Sequence, residues 1–262
     1  MTISKRCILG LFGLAWWLNL KRPLETLILN IKTKKLTGSI RLAVLSDTHS
    51  SDFGAQASEL IRLLQGLSLD AILLVGDIFD DVRRNDKTLE LLKELPALAQ
   101  VFYVSGNHDQ LSRDYSQIPE LLERLGIEFL DGKTKTVLLR NESITISGLA
   151  DPQSSASVFM DQAKRIAPSE HFHVLLSHRP QLMDVYQSLP VDLLVSGHAH
   201  GGQWQLFGRG VYSPGQGLFP RFTKGLYATR PRLVVSPGLM RNILPRFFNP
   251  PTVTIINIQG ES

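Results

Sequence analysis

A chain of 262 residues that is 43% hydrophobic and 20% charged, with no low-complexity tract, is sized for one large α/β domain with a substantial core rather than for two small ones. Its formal charge of +4 comes without the dense Lys/Arg stripe and interleaved aromatics of a nucleic-acid binder. A single cysteine, Cys7, excludes an intrachain disulfide framework and a thiolate metal cluster.

The first element is apolar. Lys5 and Arg6 precede a hydrophobic stretch over residues 7–20, interrupted by Asn19 and closed by Lys21, Arg22 and Pro23. As a helix this stretch reaches only about 21 Å, short of the roughly 30 Å hydrocarbon core of a bilayer. It ends in Trp16-Trp17-Leu18-Asn19 instead of the small residues of a signal-peptidase site, and adjacent tryptophans favour the membrane interface. Residues 1–23 are therefore expected to be an anchor or interfacial segment that holds the chain at the cell membrane, with basic residues at both ends giving no orientation bias. The competing expectation is a first helix packed on the protein's own core. Residues 24–262 form the domain.

Within that domain, residues 24–31 read as a strand, and residues 40–46 as a buried strand running directly into Asp47. Leu60, Ile61, Leu63, Leu64 and Leu67 recur at helical spacing and predict a helix over residues 55–67. The strand 71–75 leads to Asp77, a helix over 87–95 stops at Pro96, and the strand 101–104 leads to Gly106-Asn107-His108-Asp109. Strand, helix, strand repeated implies a parallel sheet whose ligand site gathers outside the carboxyl ends of the strands. Further on, residues 136–139 and 144–147 read as paired strands, 156–165 as a helix, 174–176 as a strand entering Ser177-His178, and 193–195 as a strand entering Gly197-His198-Ala199-His200. Loop and hairpin follow to about Pro231, then strands over 233–235 and 252–258, an order that two facing sheets flanked by helices accommodate.

Five of the seven histidines lie in these strand-end motifs. Asp47 and His49, two apart after a strand, project to the same side and can grip one ion together. His198 and His200 repeat the geometry, or alternate between neighbouring ions. Asp77 follows a glycine that permits a tight turn, and a carboxylate can bridge two cations. Asn107 offers a neutral oxygen. Each motif alone is weak, and an ordinary hydrogen-bonded loop residue is the commoner reading for any one of them. Together they describe a two-metal hydrolase, because paired divalent ions generate hydroxide beside a phosphoryl group at neutral pH. His171 and His173 are expected to be ordinary polar residues at a strand's start, and Asp80, Asp81 and Asp86 a solvated turn, with a lesser chance that Asp80 orients the site.

At this point the sequence resembles the calcineurin-like metallophosphoesterase family, over nearly all of residues 24–258 and through all five motifs in order. Ser196-Gly197-His198-Ala199-His200-Gly201-Gly202-Gln203 with Lys224-Gly225-Leu226-Tyr227 is similar to its bacterial branch of small, often membrane-associated phosphodiesterases. The resemblance implies a four-layer α/β/β/α sandwich of two mixed sheets, the metallo-dependent phosphatase fold. It further implies two divalent metal ions, with manganese, iron or zinc suited to oxygen and nitrogen ligands. Asp47, His49 and His200 would hold the first, Asp77 would bridge, and Asn107, His178 and His198 would hold the second. Ser236-Pro237-Gly238 departs from the pattern, since many relatives place arginine before that glycine. The expected chemistry is attack of a metal-bridging hydroxide on phosphorus, with His108 as general acid or phosphoryl donor and Asp109 orienting its imidazole.

The expected function is accordingly a phosphodiesterase or phosphohydrolase acting on a membrane-associated phosphoester or pyrophosphate, such as a phospholipid or a nucleotide-linked lipid precursor. The apolar and basic stretch 239–248, with Arg241, Arg246, Phe247 and Phe248, would then contact the lipid, or else is a surface loop packed on the sheet. A soluble phosphomonoesterase or nuclease is the alternative within enzymes. From another class, a membrane-tethered binding module without catalysis would keep the fold but be expected to lose a ligand, and no ligand position is missing.

Overall fold

The computed structural model describes residues 23–241 and 246–261. The apolar segment expected to form the anchor lies outside the described residues. Among the described residues no helix is long and apolar enough to cross a membrane.

Two six-stranded sheets are built from alternating patterns that bury both faces. In the first sheet, β1 (Glu25–Thr33), β2 (Ser39–Leu45), β3 (Ala71–Val75), β4 (Gln100–Val104), β5 (Ile127–Phe129) and the last strand, β16 (Thr252–Gly260), lie in the order β1-β16-β2-β3-β4-β5. β2 through β5 are parallel, as the strand-helix alternation predicts. The C-terminal β16 inserts between β1 and β2, antiparallel to β2 and parallel to β1. The second sheet carries β6 (Thr134–Leu139), β7 (Glu142–Gly148), β8 (Phe172–Leu176), β9 (Leu193–Ser196), β14 (Gly225–Tyr227) and β15 (Arg232–Val235) in the order β14-β15-β9-β8-β7-β6. Between β9 and β14 come two small hairpins, β10 (Gln205–Leu206) with β11 (Arg209–Gly210) and β12 (Tyr212–Ser213) with β13 (Gly217–Leu218).

Side chains of period two divide each strand between two cores. Leu42, Val44, Leu73 and Val75 of the first sheet meet Ile144, Val174, Leu176 and Val195 of the second in a shared inter-sheet core. The intervening Ala43, Leu45, Ile72 and Leu74 face the other way, against helices α1 (Ser58–Gln65), α2 (Asp86–Glu94) and, beyond the short α3 (Asn107–Leu111), α4 (Ile118–Arg124). On the far side of the second sheet, Leu175, Leu194 and Val235 pack against α5 (Ala156–Lys164) and α6 (Met183–Tyr186). Three cores separate four layers, helix, sheet, sheet, helix. This is the sandwich expected from the sequence.

Local chemistry sets the helix ends. The helix expected from residue 55 begins at Ser58, because Ala57 takes a left-handed φ of 52° after a single 3-10 turn. α5 starts where Ser155 Oγ accepts the Val158 N–H at 3.2 Å, a side-chain N-cap. His173 is fully buried, with Nε2 at 2.7 Å from Ser147 Oγ, so it is an interior residue of the sheet and not the polar strand-start residue expected.

Leu73 is fully buried at the centre of β3 and faces the inter-sheet core. Leu73→Ala should lower unfolding stability by about 2–5 kcal/mol, read from the denaturant midpoint, because the flanking strands hold the cavity open. A midpoint equal to that of the unmodified chain would contradict this packing.

Candidate metal centre

β2, β3 and β4 end together on one sheet, and β8 and β9 end beside them on the other, so five loops deliver their side chains to one place. The loops are stitched by backbone: Asp47 N–H donates to Gly76 O at 3.0 Å, His49 N–H to Asp77 O at 3.1 Å, and Gly197 N–H to His178 O at 3.1 Å. To turn the chain so sharply, Asp47, His49, Asp77, His198 and His200 all adopt left-handed φ values between 44° and 63°. Non-glycine residues avoid this region, and such strain persists only where surrounding contacts over-determine it. Close packing reinforces it. A Cβ added at Gly106 would overlap Asp77 Oδ1, and one at Gly238 would come within 2.8 Å of Asp47 Cβ.

Six of the seven expected ligands are brought together in two overlapping groups. Asp47, His49, Asp77 and His200 form one and Asp77, His178 and His198 the other, with ligand atoms in each within 4.8 Å of one another. Asp77 is common to both. Its Oδ2 lies 3.1 Å from His178 Nε2 and 3.7 Å from His49 Nε2, while Oδ1 accepts the His108 N–H at 2.8 Å. Asn107 sits at the start of α3 on the loop that hydrogen-bonds to Asp77. Two buried atoms here, His49 Nε2 and Asn107 Oδ1, have no hydrogen-bond partner among the described residues. Buried polar atoms are nearly always satisfied, so two orphans on two expected ligands fit divalent cations.

Tautomers and charges fit as well. His178 Nδ1 meets Val75 O at 2.9 Å and His49 Nδ1 faces Asp80 Oδ2 at 3.5 Å, which leaves the Nε2 lone pair of each for a metal. Burial lowers the His198 imidazole to about 2, helped by the charge of His178, and burial with the charge of His49 holds His200 well below the usual range. Both are neutral, as ligands must be. Burial opposes a charge on His178, but the Asp77 carboxylate overcomes it and pushes that imidazole up to about 10. Burial also raises the Asp47 and Asp109 carboxyls, and the charge of Asp77 adds to it. A crowded, buried carboxylate cluster of this kind is relieved by cations, and the structure supports two divalent ions without specifying the element.

The sequence reading of Asp109 requires correction. Its carboxylate accepts the N–H groups of Asp77, Phe79 and Gly106, each at 2.7 Å, and touches no imidazole nitrogen. As the third residue of α3 it turns back onto its own helix start, the local geometry of an N-terminal cap. The partner of His108 is Asp81, whose Oδ1 lies 2.7 Å from Nδ1. His108 packs edge-on against His49, ring centroids 4.6 Å apart, in a cavity of about 480 Å³ shared with His200, Trp204 and Tyr212. Asp80 is not a solvated turn residue either. It is largely buried, accepts the Val82 and Arg83 N–H groups, and its carboxyl is held low: burial raises it, but the contact with His49 and those N–H groups prevail.

Two basic residues of the stretch expected either to contact lipid or to pack as a surface loop on the sheet turn inward. Arg241 pairs with Glu59, and Arg246, 4% exposed, donates to the carbonyls of Gly238 and His200. Two residues before Gly238, Ser236 Oγ lies 2.9 Å from Ser46 Oγ, whose hydroxyl in turn donates to Asp47. The Arg179–Asp151 pair escaped the sequence reading. Arg179 reaches both Asp151 oxygens at 2.8 and 3.0 Å directly after His178, and only the adjacency of a basic residue to a ligand signalled it.

A four-layer sandwich with a shared carboxylate between two histidine-rich half-sites defines a dinuclear metal-binding protein of the metallo-dependent phosphatase fold. Residues 40–202 match the model of the calcineurin-like phosphoesterases, and the chain belongs to that family. It is 28% identical over 232 residues to the putative metallophosphoesterase F40B5.2 of Caenorhabditis elegans, an alignment covering 82% of this chain and 46% of that protein. Identity to the uncharacterized metallophosphoesterase YkuE of Bacillus subtilis is 28% over 229 residues, covering 84% and 79%. Against the transmembrane protein with metallophosphoesterase domain of Danio rerio it is 28% over 213 residues, covering 75% and 48%. The chain thus spans about half the length of two of these relatives. Among solved structures, TT1561 of Thermus thermophilus shares the fold with a TM-score of 0.52 at 13% identity, over 76% of this chain and 89% of that one.

The two aspartates next to His108 separate by experiment. Asp109→Ala should release both loops and abolish stoichiometric metal, whereas Asp81→Asn should keep metal content and lower kcat by about 10–100-fold. Metal loss in Asp81→Asn, or full metal in Asp109→Ala, would reverse the assignment. Because His178 is protonated below about pH 10 in the metal-free chain, ligation at Nε2 must expel that proton. Metal affinity should therefore weaken as pH falls through the neutral range, and calorimetry in buffers of differing ionisation enthalpy should register proton release at about pH 7–8. Buffer-independent heats would contradict it.

Proposed function

We propose that this chain is a dinuclear metal-dependent phosphohydrolase that cleaves phosphodiester or pyrophosphate bonds, with substrate presented at a membrane. The observation that carries the hydrolytic reading is the buried Asp77 carboxylate, shared between two half-sites whose other ligand atoms converge on it. Asp47, His49 and His200 would hold one cation and Asn107, His178 and His198 the other. Bound there, divalent cations lower the pKa of a coordinated water and neutralise phosphoryl charge.

The chain's own residues account for the rest. With Nδ1–H directed to Asp81, His108 presents Nε2 to the cavity, where its protonated form donates to a phosphoryl oxygen or to the leaving alkoxide. Asp81 fixes the orientation of the ring. The diester and pyrophosphate preference rests on the likeness of the motifs at residues 196–203 and 224–227 to the phosphodiesterases of the family. Trp204, Tyr212, Pro214 and Met240 line the other wall of the cavity and offer apolar contact to the group beyond the phosphate. The membrane part rests on residues 7–20 of the sequence, and a relative with 28% identity is described as a transmembrane protein with this domain.

The metal-loaded chain, assayed with an aryl phosphodiester, an aryl phosphomonoester and a nucleoside pyrophosphate diester, should favour the diester classes. Asp77→Ala should abolish turnover, and His108→Ala should lower kcat by about 10²–10⁴-fold with metal retained. Faster turnover of the monoester would remove the diesterase reading, and turnover by Asp77→Ala would remove the metal-dependent one.

A further inference from the structure

The hairpins that follow the His198–His200 loop, together with the segment before β16, carry aromatic side chains that the chemistry does not use. Phe207 at the tip of the β10–β11 hairpin is 96% exposed, Phe219 just past β13 is 80% exposed, and Phe248 is 72% exposed. Leu206 and Leu218 beside them are also exposed. Each of the three phenylalanines has a left-handed backbone, with φ of 50°, 52° and 56°. Such turn positions favour glycine or asparagine, so a large apolar residue there is unfavourable both in backbone conformation and in exposure to water. Large apolar residues exposed on neighbouring turns mark an interaction surface.

Charge accompanies it. From Leu193 to Gly260 the chain contains no Asp or Glu. A groove of about 510 Å³ beside the two tips is lined by Gly208, Phe219 and the three cationic residues Arg209, Arg221 and Lys224, with no acid on its wall. Apolar tips around a basic groove are the surface chemistry of a protein that sits in the headgroup layer of an anionic bilayer.

Topology places the same face where the N-terminal segment enters. β1 and β16 both start at the end of the first sheet where the parallel strands β2, β3 and β4 finish, which is the metal end. Glu25 N–H donates to Pro251 O and Gln205 N–H to Phe247 O, both at 3.0 Å, while Asn249 Nδ2 donates to His200 O at 2.7 Å. One short segment, residues 246–251, thus ties the chain entry, the first hairpin and a metal-ligand loop together. The described chain enters the domain at this corner, through Pro23 and Leu24.

We infer that the tips at Phe207, Phe219 and Phe248, with the Arg209–Arg221–Lys224 groove, form a docking face for an anionic phospholipid membrane, holding the mouth of the metal centre against the headgroups. The inference concerns a surface and needs no turnover, so it can fail while the hydrolytic reading stands. The test uses the full chain in a Cys7→Ser background, with single cysteines at position 207, 219 or 138 carrying an environment-sensitive fluorophore. Position 138 is exposed on β6 and pairs with Ser143 at the start of β7, at the end of the second sheet remote from the metals. On phosphatidylglycerol-containing phosphatidylcholine vesicles, labels at 207 and 219 should shift to the blue and be quenched several-fold more by spin-labelled lipid than the label at 138. Arg209→Glu with Arg221→Glu should reduce that quenching, and equal quenching on purely zwitterionic vesicles would overturn the charge component. Labels that remain water-exposed on vesicles overturn the proposal. So does shielding already present without lipid, which assigns the face to a second copy if it depends on concentration and to the chain's own N-terminal segment if it does not.

Discussion

One carboxylate underlies the metal centre. Asp109 accepts three backbone N–H groups from two loops that different strands deliver, and in doing so fixes the spacing between the turn after β3 and the start of α3. Charge-assisted hydrogen bonds of this type are about twice as strong as neutral ones. Asp77 inherits its position from them, and through Asp77 so do both half-sites. That clamp acts on the left-handed turn at Asp77, alongside the hydrogen bonds of Asp47 and His49 to Gly76 and Asp77.

The clamp matters because the centre is unfavourable by itself. Carboxylates and imidazoles are packed at near-zero exposure, and burial acts on each of them toward its neutral form. Asp77 stays ionised only because His178 and His49 face it, and His178 stays protonated only because Asp77 faces it. Divalent cations replace that mutual arrangement with a stronger one. The apolar layers around the centre supply the stability from which the strained loops draw, and they also exclude the water that would otherwise compete for each ligand atom.

Much of this was legible in the chain because the relevant signals are local. A five-residue apolar run ended by Gly76-Asp77 marks both a strand and the point where it stops, and the pattern recurs at Asp47, Asn107, His178 and His198. Other features depend on contacts remote in sequence. Nothing around residue 252 indicates that β16 will separate β1 from β2, which lie near the opposite end of the chain. α4 and β5 escaped because a seven-residue helix and a three-residue strand are too short for a periodic signal. The pairing of His108 with Asp81 was hidden by a nearer carboxylate: Asp109 is adjacent in sequence, but a helix start carries its side chain back toward its own N–H groups. Arg241 and Arg246 read as exposed cations, and only the folded chain shows the glutamate and the carbonyls that receive them.

The inter-sheet core has a role beyond holding the layers together. Asp47, His49, Asp77 and Asn107 hang from the first sheet, and His178, His198 and His200 from the second. The thickness of the packing among Val44, Val75, Leu176 and Val195 therefore acts as a gauge for the reach between the two ligand sets. Volume changes in this layer would be transmitted to the separation of the two ligand sets, so side chains that never approach the substrate would take part in fixing how the half-sites meet.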